Sequence, residues 1–301
     1  MADIRFDGKT AIVTGAGGGL GRQHAMELAR RGAKVLINDL GASVDGSGGS
    51  SEAAQQVVEE IKAFGGEAIA NGSSVTDDAG VALMVKQAMD AWGRVDILIA
   101  NAGILRDKSF AKMDIPDFEL VVDVHLIGTV KPAKAVWEIM REQNYGRIVV
   151  TTSSTGLYGN FGQANYGAAK ASVVGLMNTL KLEGQKNNIH VNAICPVAAT
   201  RMTETIMPPE MLERLRPEYV TPGVIYLTSE DAPTGAILIA GAGVFALART
   251  YETEGVHLGE GGLSAEEVRD SWTAIADPAG QQAYVAGGEQ VSKLFRKLQG
   301  G

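Results

Sequence analysis

The chain has 301 residues, 45% hydrophobic and 21% charged, the values of an ordinary globular protein, which exclude a disordered or fibrous chain. Its formal charge of −8 opposes nucleic acid and anionic membrane, so neither is an expected partner. The single Cys195 excludes an intramolecular disulfide, and the four dispersed histidines give no expected metal site.

The opening "MADIRFDGKT" shows no basic segment followed by an apolar one, and no run of eighteen apolar residues occurs, so a cytoplasmic location is expected. The first predicted strand, "TAIVT" (10 to 14), runs into "GAGGGLG" and a helix over 20 to 31. Gly15, Gly19 and Gly21 complete a T-G-x-x-x-G-x-G turn, with Leu20 opening the helix. Glycines there let the backbone approach a diphosphate at the positive end of the helix. The second strand, "KVLIN" (34 to 38), ends at Asp39, whose carboxylate can accept from ribose hydroxyls and would repel a 2′-phosphate. NAD is therefore expected over NADP, with Arg22 the nearby cation that could soften the preference.

"GASVDGSGGS" (41 to 50) reads as a mobile, solvated loop. A helix over 52 to 64 and a strand "EAIA" (67 to 70) follow, and Ser74 and Val75 beyond that strand are expected cofactor contacts. After a helix over 77 to 92, the strand "DILIA" (96 to 100) leads into Asn101, Ala102 and Gly103, a small-residue turn at the cofactor edge. A long helix is expected over 117 to 143, then strands "RIVVTT" (147 to 152), "HVNAI" (190 to 194) and "AILIA" (236 to 240), with helices over 163 to 187 and 218 to 229. Several strands are apolar on both faces, which predicts an α/β Rossmann-type fold: a doubly wound, seven-stranded parallel sheet with helices on both sides. One domain is expected over 1 to 301, with 244 to 301 a helical extension against the core or a neighbouring subunit.

In "GNFGQANYGAAK" (159 to 170), Tyr166 and Lys170 share one helical face, and Ser153 precedes the tyrosine by thirteen residues. In order, these motifs resemble the short-chain dehydrogenase/reductases over roughly residues 8 to 245. That resemblance implies Ser153, Tyr166 and Lys170 as catalytic residues. A fixed ammonium favours the phenolate, Tyr166 moves the alcohol proton, Lys170 also binds the nicotinamide ribose, and Ser153 steadies the substrate oxygen. It further implies Pro196, Val197 and Thr200 as carboxamide contacts, and a homodimer or homotetramer.

His125 stands where the family commonly has an asparagine that helps hold a relay water. Stretches such as "NAGILRDKSF", "VHLIGT" and "NYGRIVVTTSSTGLYGNFGQANYGAAK" are similar to the (3R)-hydroxyacyl-CoA dehydrogenases of peroxisomal multifunctional enzymes, which carry His there too. The implied reaction is NAD-dependent oxidation of a (3R)-3-hydroxyacyl-CoA to the 3-oxoacyl-CoA. A hydroxysteroid or other secondary alcohol remains the alternative, and NAD(H) binding without turnover a third. Arg106, Lys108, Lys112 and Arg201 are candidate cations for CoA phosphates, and Met202, Ile206, Met207 and Met211 candidates for an apolar substrate wall.

Overall fold

The computed structural model describes residues 3–48, 52–198, 214–259 and 264–299. The first part of the chain alternates strands and helices: β1 (Thr10–Thr14), α1 (Gly19–Arg30), β2 (Lys34–Asn38), α2 (Glu52–Ala63), β3 (Glu67–Asn71), α3 (Asp78–Trp92) and β4 (Ile97–Ala100). There follow α4 (Ile115–Val122), α5 (Gly128–Gln143), β5 (Gly146–Thr151), α6 (Ser154–Tyr158), α7 (Ala164–Glu183) and β6 (Ile189–Pro196). The series closes with α8 (Thr221–Leu227), β7 (Ile237–Gly241) and β8 (Val244–Ala248).

The strands lie in one sheet in the order β3-β2-β1-β4-β5-β6-β7-β8. The first seven pair in parallel, with Ile12 of β1 between Leu36 of β2 and Leu98 of β4. All five residues of β1 and all four of β4 are buried, as helices on both faces require. Order reverses between β1 and β4, so a crevice opens beyond their carboxyl ends, the usual ligand position in such sheets.

Among the described residues the sheet therefore has eight strands where seven were expected. The eighth follows a two-residue turn in which Ala242 and Gly243 both have positive φ (50° and 78°), the geometry of a tight hairpin. Its signal was weak because the turn lacks Asn or Asp and because Val244, Phe245 and Leu247 are exposed, giving no alternation.

The long helix expected over 117 to 143 is broken. Between α4 and α5 the chain makes a π-helical turn, Asp123–Ile127, in which the Gly128 N–H reaches back to the Asp123 carbonyl. Pro132, lacking an N–H, removes another bond of the α5 ladder. Such turns mark strained or functional positions, and this one carries His125.

Charged groups buried in the sheet sit at the amino ends of the central strands. Asp96, just before β4, accepts from the Thr10 N–H at 2.9 Å and from Arg94 at 2.6 and 2.7 Å. Arg147 in β5 donates to the carbonyls of Ser229, Gly146, Asn188 and Glu230. These bonds fasten the end of the sheet opposite the crevice.

By its internal contacts the chain divides into two compact units, Met1–Leu247 and Ala248–Gly301. The second contains α9 (Ala265–Asp270), α10 (Trp272–Ile275) and α11 (Gly287–Leu298). Inside it, Lys293 of α11 binds the Glu252 carboxylate at 2.8 Å and the Thr253 carbonyl, and a capping box of Ser264 and Glu267 starts α9.

Candidate active site

Turns after β1, β4, β5 and β6 surround one cavity of about 750 Å³ at the carboxyl edge of the sheet. Its volume is that of a site for a large organic ligand.

The β1 turn forms one wall. Gly15 and Gly19 have φ of 62° and 52°, a conformation costly for residues with a side chain. A Cβ on Gly15 would stand 2.8 Å from the Ala102 Cα, and one on Gly17 2.8 Å from the Asp39 carboxylate. The start of α1 has no side-chain cap and no acid in its first turn, and Gly19 and Leu20 there line the cavity, leaving its first amides without a side-chain acceptor among the described residues. Asn101 ties this wall to β4: its amide nitrogen donates to the carbonyls of Thr14 and Gly15 at 3.1 and 3.0 Å, and the Thr14 hydroxyl receives its backbone N–H.

Asp39 turns its carboxylate into the same space, accepting from the N–H groups of Gly17 and Gly41 at 2.7 Å each. Ser74, Val75, Ala102, Gly103, Leu20, Pro196 and Val197 also line the cavity. A glycine cradle at an open helix start, with a fixed carboxylate beside it, fits a dinucleotide carrying a free ribose diol. Arg22 is not available to a 2′-phosphate in this arrangement, because its guanidinium is paired with Glu60 of α2.

One expected cofactor contact is absent from the lining and another falls outside the described residues. Gly21 does not line the cavity; a Cβ there would lie 2.2 Å from the Gly15 carbonyl oxygen, so its role is to let α1 seat against the turn. Thr200 lies outside the described residues, as do Arg201, Met202, Ile206, Met207 and Met211. Gly17 and Gly18 line the wall instead, inside a run of glycines whose individual roles the sequence pattern does not separate.

Ser153, Tyr166, Lys170 and His125 meet at the opposite wall. Ser153 caps α6, accepting the Thr155 N–H at 3.2 Å, and its hydroxyl is near enough to Tyr166 to favour the phenolate. Tyr166 and Lys170 lie one turn apart on α7, with the Lys170 Nζ 5.6 Å from the tyrosine ring centre and donating to the Thr151 carbonyl at 2.7 Å. Asn165, fully buried, accepts the Tyr166 N–H at 2.7 Å and donates to the Arg106 carbonyl at 2.9 Å, fixing the start of α7. Its place beside the tyrosine gave no separate signal in the sequence.

Burial governs the ionisation of this wall. It pushes Tyr166 up to about 12, against the lowering effect of the Ser153 hydrogen bond, and brings Lys170 down to about 7. Burial thus opposes the charged form of both groups, against the expected effect of an ammonium on the phenol.

His125 is buried, and burial, with the Lys170 charge adding, holds its imidazole well below its ordinary value. It is thus neutral, with Nε2 at 2.8 Å from the Ile104 carbonyl and 3.1 Å from the Ile104 N–H. Its ring meets Tyr166 edge-on at 5.1 Å between centroids, and fills the space over Gly103, where a Cβ would lie 2.3 Å from Cε1. The histidine therefore joins the turn after β4 to the tyrosine, while its buried Nδ1 has no partner among the described residues.

Two of the candidate CoA cations, Arg106 and Lys108, are engaged by carboxylates. Arg106 pairs with Asp117 at 2.6 Å, and Lys108 with Asp114 and Asp117 at 2.9 and 3.0 Å. The segment after β2 also differs from expectation. Far from a free loop, its residues 42 to 44 and Gly46 line the cavity.

Comparison with known proteins agrees with this architecture. A family model described as "short chain dehydrogenase" matches residues 9–210. "Peroxisomal multifunctional enzyme A" of Dictyostelium discoideum is 50% identical over 97% of this chain and 65% of its own length. The solved structure of full-length peroxisomal multifunctional enzyme type 2 from Drosophila melanogaster superposes with a TM-score of 0.83 at 37% identity, covering 98% of this chain and 50% of that one. A 7α-hydroxysteroid dehydrogenase complexed with NADH and 7-oxo glycochenodeoxycholic acid matches with a TM-score of 0.72 at 28% identity, over 81% of this chain and 98% of that one. The chain thus spans less than two thirds of the multifunctional relatives. Among the described residues no helix is long and apolar enough to cross a membrane, and no cluster of metal-binding side chains occurs.

Proposed function

The chain belongs to the short-chain dehydrogenases, an oxidoreductase family, and from that membership we propose that it oxidises a secondary alcohol to a ketone with NAD. The observation that carries this reading is the meeting of Ser153, Tyr166 and Lys170 with the glycine cradle and Asp39 around one cavity. The preferred substrate is a (3R)-3-hydroxyacyl-CoA, the reading that fits the likeness of this chain to part of a peroxisomal multifunctional enzyme at 50% identity.

Bound NAD would accept hydride from the alcohol carbon. Ser153 orients the substrate oxygen with its hydroxyl proton, its own oxygen already held by the Thr155 N–H. Tyr166 Oη takes the alcohol proton. Burial pushes the phenol up to about 12, so the phenolate needs a positive charge nearby to form. Lys170, brought down to about 7, supplies that charge wherever it holds its proton, and a bound oxidised nicotinamide would add to it. The ammonium faces the phenolate across roughly one helical turn, an attraction of about 3 kcal/mol at an effective dielectric constant near 20. Asp39 selects NAD by accepting from the ribose diol.

A second reading, a hydroxysteroid or other free alcohol, is favoured by one observation: Arg106 and Lys108, the cations nearest the turn after β4, are held by carboxylates and not presented to a polyphosphate. A panel of (3R)- and (3S)-hydroxyacyl-CoAs, hydroxysteroids and small secondary alcohols, followed by NADH formation, separates the two. Preference for free alcohols over every CoA ester refutes the first reading. NADH binding with no turnover of any alcohol leaves the chain a binding protein. The assembly is proposed as a homodimer or homotetramer, which light scattering on the purified chain tests.

A further inference from the structure

The segment following Asp39 does not hang in solvent. Its centre is a closed turn: the Asp45 carboxylate accepts from the Ser47 N–H at 3.0 Å and the Ser47 hydroxyl at 2.8 Å, and the Ser43 N–H donates to the Ser47 carbonyl at 2.9 Å. One end is tied to Asp39 itself through the Gly41 N–H. The far side reaches across to the turn after β4. There the Leu105 N–H donates to the Val44 carbonyl at 2.9 Å, the Arg106 Nε donates to the Asp45 carbonyl at 2.9 Å, and Gly46 lies so close that a Cβ would stand 3.3 Å from the Ile104 side chain.

Arg106 is the post on which this bridge hangs. Its guanidinium also binds Asp117 of α4 at 2.6 Å, and its carbonyl receives the Asn165 side chain beside Tyr166. The bridge thus runs from the ribose-binding carboxylate to the catalytic wall, with residues 42 to 44 facing the cavity.

We propose that residues 40 to 48 form a clasp over the dinucleotide cleft and that Arg106 is the positioning residue that fastens it, so that opening this clasp limits release of NAD(H). The inference rests on the dinucleotide reading of the cleft. A cofactor seated between Asp39 and the turn after β4 lies beneath a segment bonded to both, and leaves only when the Val44 and Asp45 carbonyls part from Leu105 and Arg106. Losing a charge-assisted bond to a carbonyl should speed opening by on the order of tenfold.

The test is stopped-flow dissociation of NADH from the full-length chain, read by nucleotide fluorescence on displacement with excess NAD. Arg106→Gln and Asp45→Ala attack the clasp from opposite sides, and Asp117→Asn removes the α4 ion pair while leaving the clasp bond. Both clasp variants should release NADH about tenfold faster than the parent, with Asp117→Asn near the parental rate and thermal midpoints without nucleotide unchanged. Parental release rates in Arg106→Gln and Asp45→Ala overturn the clasp. Equal acceleration in Asp117→Asn assigns the effect to α4 and overturns it as well. A parent chain that fails to bind NADH refutes the underlying dinucleotide reading instead, so the two failures are distinguishable.

Discussion

Replacing Lys170 with methionine should abolish turnover and yet make the protein more stable at neutral pH. The lysine is 4% exposed, and burial brings it from 10.5 to about 7. At about 1.4 kcal/mol per pH unit, that displacement corresponds to a cost of about 5 kcal/mol for keeping the ammonium inside the fold. Methionine removes the cost but leaves the Thr151 carbonyl without its 2.7 Å donor, a loss of about 1–3 kcal/mol. The net expectation at pH 7 is a gain of about 2–4 kcal/mol.

The sign of the pH dependence follows from proton counts. The unfolded chain holds the lysine proton up to 10.5 and the folded chain only up to about 7, so between these values the unfolded state binds more protons and parental stability rises with pH. From pH 7 to 9 the rise attributable to Lys170 is up to about 3 kcal/mol. Above that window burial raises Cys195 from 9.0 to about 11 and Tyr166 from 10.0 to about 12, and each then lowers stability as pH climbs. Denaturant titrations of parent and Lys170→Met at pH 7, 8 and 9 measure the gap. A variant less stable than the parent at pH 7, or a gap constant over this range, refutes the argument that burial sets the lysine.

Gly103→Ala places a methyl 2.3 Å from His125 Cε1, in a ring held at Ile104, and should cost about 1–3 kcal/mol. Combining it with His125→Ala should recover most of that loss in thermal denaturation. Asp39→Asn exchanges one acceptor for a donor facing the Gly17 or Gly41 N–H, so NADH affinity should fall on the order of tenfold or more by fluorescence titration, and the preference over NADPH should shrink. Because burial holds His125 neutral, His125→Asn should leave the inflection of the kcat/KM profile near pH 7 in place, whereas a shift of that inflection would make the histidine the titrating group.

What the sequence made legible was whatever depends on a local pattern. Strand after strand was readable because the central ones are apolar on both faces, and the four-residue step from Tyr166 to Lys170 already implied one helical face. Which side chains pair was not legible. Arg106 and Lys108 look like free cations in "ILRDKSF", and only the turn into the next helix brings Asp114 before it and Asp117 within it back onto them. The glycines and serines of 41 to 48 look mobile for the same reason. Composition describes what a segment could do alone, whereas its order here comes from the Asp45 turn and from Leu105 and Arg106, some sixty residues away. The displacement of Lys170 and Tyr166 was not legible for a related cause. Spacing places an ammonium beside a phenol, but burial, which only the fold supplies, opposes the charged form of both. Under the proposed mechanism two groups held away from their ordinary values carry the proton transfer, and the gain in stability on removing Lys170 measures what keeping its ammonium inside costs the fold.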